Sequence, residues 1–252
     1  MIEVKGRAAV VVGSAGGIGL AIAEALAEAG VRGLLLADLQ LELAQANAER
    51  LSQSTGADVR AIKVDVTDQS SVEAVAEAAV RAFGGLHIAV SSAGVAPNGQ
   101  TTWEASLDEW DRVLRVQLWG PIHGVRAFIP RIISTGEGGH LVNVGSMASV
   151  LPLAGVGPYG AAKHGVLALG DTLAAELAAL TPSIGVSTVF PGMIRTPMNP
   201  IGTVEPSTVA ANVLDAIQRD RRYVYSDDHY VNEVRSRLLA LINARDEVLT
   251  PS

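Results

Sequence analysis

The chain has 252 residues, 48% hydrophobic and 18% charged, which allows one sizeable buried core and excludes an intrinsically disordered protein. Its formal net charge of -7 and its scattered basic residues argue against a nucleic-acid partner. No apolar run approaches the roughly 20 residues of a membrane helix, and the lack of cysteine excludes disulfides and thiolate metal sites. We expect one cytoplasmic domain over residues 1–252, with no membrane partner and no metal.

Short apolar runs alternate with longer amphipathic segments along the chain. The runs predict seven strands, at 8–12, 33–37, 59–64, 88–91, 140–144, 186–189 and about 222–225. The amphipathic segments predict helices at 18–29, 41–54, 70–83, 107–121 and onward to 133, 159–180, after residue 206, and 231–244. This alternation indicates an α/β fold in three layers, a doubly wound parallel sheet of about seven strands flanked by helices on both faces.

A glycine-rich segment connects the first predicted strand to the first helix. Residues 13–19 read GSAGGIG, so the backbone can turn tightly and approach a pyrophosphate at the helix N-terminus. The same glycines could instead serve only the close packing of helix on strand. The segment therefore predicts a Rossmann-like fold with a dinucleotide site, and leaves the packing alternative open.

An acidic residue, Asp38, ends the second predicted strand. At this position, about twenty residues past a glycine loop, a carboxylate can accept hydrogen bonds from both hydroxyls of an adenosine ribose and repels a 2′-phosphate. The alternative is that Asp38 caps the helix that starts at Leu41. Because residues 14–16 add no Arg or Lys for a phosphate, the sequence favours NAD over NADP.

Tyr159 and Lys163 lie four residues apart at the start of an Ala-rich helix, so their side chains share one face. A free tyrosine has a pKa near ~10, and a nearby ammonium favours the phenolate. Such a pair can move protons near neutral pH. The alternative is an ordinary amphipathic helix with an exposed Tyr and Lys.

In chain order, these motifs resemble the short-chain dehydrogenase/reductase family over residues 5 to about 200. Residues 13–19 match its glycine motif, and Asp65-Val66 match its acidic pair after the third strand. Ser146 precedes Tyr159 by thirteen positions, and residues 191–196 match its P-G-x-x-x-T motif.

The resemblance implies that Tyr159 exchanges a proton with the substrate oxygen, that Ser146 holds this oxygen, and that Lys163 lowers the tyrosine pKa and binds the nicotinamide ribose. It implies that the Ile194 backbone and the Thr196 hydroxyl orient the carboxamide and a nearby phosphate. Ser146 could otherwise be a strand-end turn residue. The implied cofactor contacts are Gly13, Ser14, Gly17, Ile18, Gly19, Asp38, Leu39, Asp65, Val66, Ser92, Ala93, Gly94, Tyr159, Lys163, Pro191, Gly192, Ile194 and Thr196.

Four positions, in three motifs, depart from the family pattern. Val12 stands where the family usually has Thr, and residues 91–94 read SSAG in place of NNAG. Gln117 stands where the catalytic Asn of the family braces a water that relays protons to the lysine. The amide is kept but moves outward by one methylene, so Gln117 either joins the catalytic set with a shifted geometry or only satisfies a helix kink.

The positions that the family places around the substrate are apolar, which predicts a hydrophobic or cyclic secondary alcohol or ketone. They are Val95, Trp103, Met147, Val150, Leu151, Leu153, Val156, Met193, Ile194 and Met198. Residues 193–252 are expected to form a substrate loop and a C-terminal helix, and the helices at 107–133 and 159–180 to pair subunits in a homodimer or homotetramer. The sequence thus predicts an NAD-dependent oxidoreductase; the alternatives are a nucleotide-binding sensor of the same fold, and a lyase or epimerase.

Overall fold

Seven parallel strands form one sheet at the centre of the protein. A computed structural model describes residues 2–181 and 183–249. The strands are β1 (Ala8–Val12), β2 (Gly33–Asp38), β3 (Asp58–Lys63), β4 (Ile88–Ser91), β5 (Gly139–Val144), β6 (Ile184–Phe190) and β7 (Tyr223–Tyr225). Their order is β3-β2-β1-β4-β5-β6-β7, so the direction of winding reverses between β1 and β4. The predicted doubly wound parallel sheet is confirmed.

Eight α-helices connect and flank the strands over the described residues. They are α1 (Gly17–Glu28), α2 (Leu41–Thr55), α3 (Gln69–Phe83), α4 (Leu107–Leu114), α5 (Gly120–Thr135), α6 (Gly157–Leu180), α7 (Pro206–Arg219) and α8 (Val231–Leu249). Side-chain caps begin two of them: Asp68 accepts a hydrogen bond from Ser70 N–H, and Ser106 accepts one from Glu109 N–H. Gly84 ends α3 with a φ of 73°, a left-handed conformation that glycine adopts without strain.

The five inner strands, β1, β2, β4, β5 and β6, are buried on both faces because their apolar side chains alternate between two cores. In β1, Ala9 and Val11 join the core beneath α1, α2 and α7, while Val10 and Val12 join the core beneath α3, α5 and α6. Fully burying one valine or leucine side chain stabilises the fold by about 1.5–3 kcal/mol. Because residues on both faces are buried, the sequences of these strands are continuously apolar. The two cores also confirm the predicted three layers.

One predicted helix is interrupted. Where the sequence predicts continuous helix over 107–133, residues Arg115–Trp119 form a π-helical turn between α4 and α5. In this turn the N–H of Gly120 donates to the carbonyl of Arg115, five residues back. Pro121 has no N–H to donate to the carbonyl of Gln117, so one α-helical hydrogen bond is missing directly after this turn.

Membrane-spanning helices and clusters of metal ligands are both absent from residues 2–181 and 183–249. None of the helices there is at once long enough and apolar enough to cross a bilayer. No group of three or more His, Asp or Glu residues within the same part of the chain could hold a metal ion.

Candidate active site

A cleft of about 540 Å³ opens where the carboxyl ends of the strands meet. Gly13 directly follows β1, Ser92 follows β4 and Gly145 follows β5, and all three line the cleft. This is the point where the strand order reverses, the usual position of a ligand in an open α/β sheet. The cleft is therefore the candidate active site.

The glycine loop forms one wall of this cleft. Gly13 has a φ of 82°, and a Cβ built on it would lie 2.5 Å from Ala93 N, so only glycine fits. Gly17, which begins α1, has a φ of 57°, and no side chain caps this helix. Gly16, Gly17 and Ile18 line the cleft, so uncapped backbone N–H groups and the positive end of the helix dipole lie beside it. This wall fits a pyrophosphate.

The Asp38 carboxylate lies beside the glycine loop. Its Oδ2 accepts a hydrogen bond from Ala15 N–H at 2.8 Å, and its Oδ1 accepts one from Gln40 N–H at 2.9 Å. An ionised carboxylate can accept about four hydrogen bonds, so these two leave capacity for a ligand. Gln40, not Asp38, is the N-cap residue of α2, and it lies on the cleft next to Asp38. The alternative that Asp38 caps the helix starting at Leu41 therefore does not hold.

Ser146, Tyr159 and Lys163 meet at the other end of the cleft. Ser146 follows β5, and its Oγ accepts a hydrogen bond from Ala148 N–H at 3.1 Å, which fixes the short 3-10 turn Met147–Ser149. The buried Lys163 donates from Nζ to the carbonyl of Val144 at 2.8 Å, and the same Nζ lies 5.6 Å from the centre of the Tyr159 ring. Ser146 thus terminates a strand, as the turn alternative has it, and also faces the cleft.

Burial changes the acidity of both ionisable groups in this cluster. It raises the pKa of the Tyr159 hydroxyl, and the hydrogen bond with Ser146 lowers that pKa only in part. It also lowers the pKa of the Lys163 ammonium to about 7. The net direction for Tyr159 is opposite to the one that the resemblance implies. A lysine with a pKa near neutrality carries only part of its positive charge, which weakens its stabilisation of the phenolate.

Gln117 lies in the π-helical turn, and its buried side chain lines the cleft. Its Nε2 donates to the carbonyl of Val95 at 2.7 Å, while its Oε1 has no partner among the described residues. A Cβ on Gly94 would come within 3.1 Å of the same Nε2. The amide therefore braces the backbone after β4 and does not satisfy the kink of its own helix.

The motif after β6 returns to the glycine loop. Pro191, Gly192 and Ile194 line the cleft, and a Cβ on Gly17 would lie 3.2 Å from Cγ2 of Thr196. Thr196 Oγ1 accepts a hydrogen bond from Asn199 N–H at 3.2 Å, which closes the turn. Residues 191–199 therefore form a wall of the cleft that meets the start of α1.

Most predicted contact residues line the cleft, but some do not. Ser14 is fully buried, and its Oγ donates to the carbonyl of Ala37 at 3.3 Å, so its side chain braces β2 instead of facing a ligand. Val95, Ile194 and Met198 line the cleft as predicted for the substrate end. The other predicted substrate positions lie outside the lining: Trp103, Met147, Val150, Leu151, Leu153, Val156 and Met193.

The reasons for these exclusions differ. Met147 and Leu151 are buried in a small core with Phe190, whereas Trp103 is 82% exposed. Several lining residues were not predicted, although each lies within two positions of a residue that was. They are Ala15, Gly16, Gln40, Val64, Val116, Val144, Gly145, Pro197 and Asn199.

Comparisons with known proteins bear on this site. The sequence pattern of the family described as short chain dehydrogenase matches residues 7–203. The 1-deoxy-11-beta-hydroxypentalenate dehydrogenase of Streptomyces avermitilis is 36% identical over 231 residues, which cover 87% of this chain and 84% of that enzyme. The cyclohexanol dehydrogenase of an Acinetobacter species is 31% identical over 239 residues, which cover 90% of this chain and 93% of that enzyme.

The fold also matches that of solved structures. A short chain dehydrogenase/reductase from Burkholderia phymatum, crystallised in complex with NAD, superimposes with a TM-score of 0.88 and 30% sequence identity. The match covers 93% of this chain and 94% of the other.

Proposed function

The chain belongs to the short-chain dehydrogenase family, and from this premise we propose that it is an NAD-dependent oxidoreductase that interconverts a hydrophobic, cyclic secondary alcohol and its ketone. The observation that carries the proposal is one continuous cleft that joins the glycine loop and Asp38 to Ser146, Tyr159 and Lys163. The adenosine end and the proton-transfer end of a dehydrogenase site are thus present in a single cavity.

The donor and acceptor groups of the cleft support NAD as the cofactor. The uncapped amides at the start of α1 suit a pyrophosphate, and the Asp38 carboxylate suits two ribose hydroxyls but repels a 2′-phosphate. Lys163 is the one basic residue among the described residues that line the cleft, and it lies at the other end. The NAD complex of the Burkholderia relative supports the same choice.

Each residue of the proton-transfer cluster has a distinct part in the proposed reaction. When bound, the nicotinamide ring supplies or accepts the hydride. Tyr159 donates its hydroxyl proton to the carbonyl oxygen in reduction and takes the alcohol proton in oxidation. Ser146 donates a hydrogen bond to the same oxygen, and Lys163 binds ribose hydroxyls and, when charged, favours the phenolate.

The substrate end of the cleft supports a neutral apolar molecule. Val95, Ile194 and Met198 are its apolar lining residues, and no acidic side chain of the described lining lies beside Tyr159, since Asp38 ends β2 and Asp65 follows β3. An apolar lining with few polar groups selects by shape and burial of carbon surface. The names of the two dehydrogenase relatives, which refer to cyclic carbon skeletons, support the same class.

The test is formation of NADH, followed by absorbance, with a panel of cyclic and acyclic secondary alcohols and with either NAD or NADP. We expect NAD turnover with cyclic alcohols and loss of at least about a hundredfold in kcat for Tyr159→Phe, the range of general acid–base catalysis. Tyr225→Phe, which removes a partly exposed hydroxyl outside the cleft lining, is the matched control. Tight NAD binding without tyrosine-dependent turnover would instead favour the nucleotide-binding sensor.

A further inference from the structure

The segment after β7 contacts the turn after β6. The two strands pair in parallel with Phe190 opposite Tyr225, so the residues that follow them leave the sheet side by side. After β6 come Pro191 and Gly192, which line the cleft; after β7 come Ser226 and Asp227. The pairing therefore places a serine and an aspartate against a wall of the active site.

A chain of hydrogen bonds ties these residues together. Gly192 N–H donates to Ser226 Oγ at 3.0 Å, and the Ser226 hydroxyl donates to Asp227 Oδ2 at 2.6 Å. Asp227 Oδ1 accepts from both the backbone N–H and Nδ1 of His229, each at 3.0 Å. Ser226 is 5% exposed, the Asp227 side chain 11% and the His229 side chain 62%. We call Ser226, Asp227 and His229 the latch.

The latch packs directly against Gly192, the residue whose N–H it binds. A Cβ on Gly192 would come within 2.8 Å of Asp227 Oδ2 and 3.2 Å of Cε2 of Tyr230. Tyr230 in turn packs against the small core of Met147, Leu151 and Phe190. Gly192 thus has the cleft on one side and the Asp227 carboxylate on the other. Its position in the cleft wall therefore depends on its packing against Asp227 and Tyr230.

The direction of these hydrogen bonds explains how Asp227 orients the Ser226 hydroxyl. A serine hydroxyl has one proton, and a carboxylate that accepts it leaves the oxygen lone pairs for the Gly192 N–H. Bonds to an ionised acceptor are shorter and stronger than neutral ones, and successive bonds strengthen each other. The Asp227 carboxylate therefore keeps Ser226 in the one orientation that accepts from Gly192.

We propose that Ser226, Asp227 and His229 are positioning residues that, by fixing Gly192, set where the 192–196 backbone meets the nicotinamide half of a bound dinucleotide. This inference rests on the proposed function, because it takes the cleft beside Tyr159 as the nicotinamide end. The latch acts only on that end: the glycine loop and Asp38, at the adenosine end, make no hydrogen bond with any latch residue within the described part of the chain.

Calorimetric titration with NAD and with ADP-ribose, which lacks the nicotinamide, tests this directly. We expect Ser226→Ala and Asp227→Asn to raise the Kd of NAD about fivefold to tenfold, the effect of one lost ordering hydrogen bond, and to leave that of ADP-ribose within about twofold. Ser226→Thr, which keeps the hydroxyl, should restore NAD binding. Asp228→Asn, at the exposed neighbouring carboxylate, is the matched control and should bind both ligands as the wild type does.

The outcomes separate the latch from the function on which it rests. If the variants lose thermal stability but bind NAD like the wild type, the latch is only structural and the inference is wrong. It is also wrong if NAD and ADP-ribose weaken equally, since the effect is then not confined to the nicotinamide end. If the wild type binds neither ligand, the proposed function itself fails, and the latch inference with it.

Discussion

The side-chain length of Gln117 matters at the scale of single residues. Its Nε2 reaches the carbonyl of Val95 at 2.7 Å from a backbone that the π-helical turn displaces. An asparagine on the same backbone would end one carbon–carbon bond, about 1.5 Å, short of that carbonyl. The glutamine is thus matched to the π turn of this chain and is not simply a longer copy of the asparagine that the family has here.

The substitution Gln117→Asn tests this match. We expect it to lower the free energy of unfolding by about 1–3 kcal/mol, because the shorter amide leaves the Val95 carbonyl without its donor. We also expect kcat with an alcohol of the panel to fall about 10- to 100-fold, since residues 94–95 line the cleft and shift with that carbonyl. Urea unfolding and steady-state kinetics measure the two effects.

Gln100→Asn is the control for this substitution, because Gln100 is exposed in the loop after β4 and should tolerate the change. An asparagine variant at 117 that is as stable as the wild type, or faster, would contradict the match. It would indicate that the family's shorter amide suits this site equally well.

A site residue could be predicted where local secondary structure sets the direction of its side chain, and could not where tertiary contacts set it. Asp38 and Tyr159 were placed from the sequence because a strand end and a helix face fix their directions before any tertiary contact is known. The direction of the Ser14 side chain could not be predicted, because its hydroxyl turns inward to the carbonyl of Ala37, a choice between two hydrogen-bond partners that the loop sequence does not encode. The burial of Met147 could not be predicted either, because it packs in one small core with Phe190, which lies 43 positions away in the sequence.

At the scale of elements, inner strands such as β1 and β5 could be predicted from their apolar runs, because continuous burial leaves little choice of residue type. The π-helical turn could not be predicted, since its apolar pattern continues that of the flanking helices. The latch was equally invisible, because it exists only through the parallel register of β6 and β7. Local sequence patterns do not show which residues of two distant strands pair with each other, so they cannot show which loops then meet.

A buried histidine joins β5, β6 and the segment before β7. His140 is 1% exposed; its Nε2 lies 2.8 Å from Ser187 Oγ, which donates to the carbonyl of Arg221 at 2.6 Å. Because the serine proton is used on Arg221, the Nε2 of His140 is the donor to the serine. The imidazole is thus built into the sheet in its neutral form, with the proton on Nε2.

Because His140 is buried in its neutral form, we expect the free energy of unfolding to fall in mild acid. Burial lowers the pKa of His140 from 6.5 to about 4, so between these values the unfolded chain binds the proton and the folded chain does not. The free energy of unfolding should therefore be full above pH 6.5 and fall as the pH drops towards 4, by about 3 kcal/mol in total. Urea unfolding at a series of pH values measures this slope.

The variant His140→Gln keeps an amide donor for Ser187 but has no titrating group, so its slope between pH 6.5 and 4 should be shallower than that of the wild type. Burial also lowers the pKa of His87, which adds to the slope in both proteins. Identical slopes for His140→Gln and the wild type would contradict the prediction.

At the scale of the whole molecule, α5 leaves an apolar stripe on the surface. Trp119, just before the helix, is 52% exposed and Ile133, near its end, is 43% exposed. Ile122 and the exposed Pro130 lie between them at helical spacing. The exposed Arg126 lies on the same face, so the stripe is apolar on either side of one charge. Exposed apolar side chains grouped on one helix face can form an interaction site, and a second copy of the same chain can cover them symmetrically. This is one of the helices from which the sequence predicts subunit pairing.

We therefore propose that the protein is a homodimer or homotetramer in which α5 packs against a partner subunit. The variants Trp119→Asp and Ile133→Asp place a charge in that contact, where desolvation without a partner costs several kcal/mol, and should shift the molecule to a smaller species in analytical ultracentrifugation. Leu239→Asp is the matched control, because Leu239 on α8 is 50% exposed and lies outside the stripe. A wild type that sediments as a monomer would contradict the proposal. If only the Leu239 variant dissociates, α8 and not α5 forms the subunit contact.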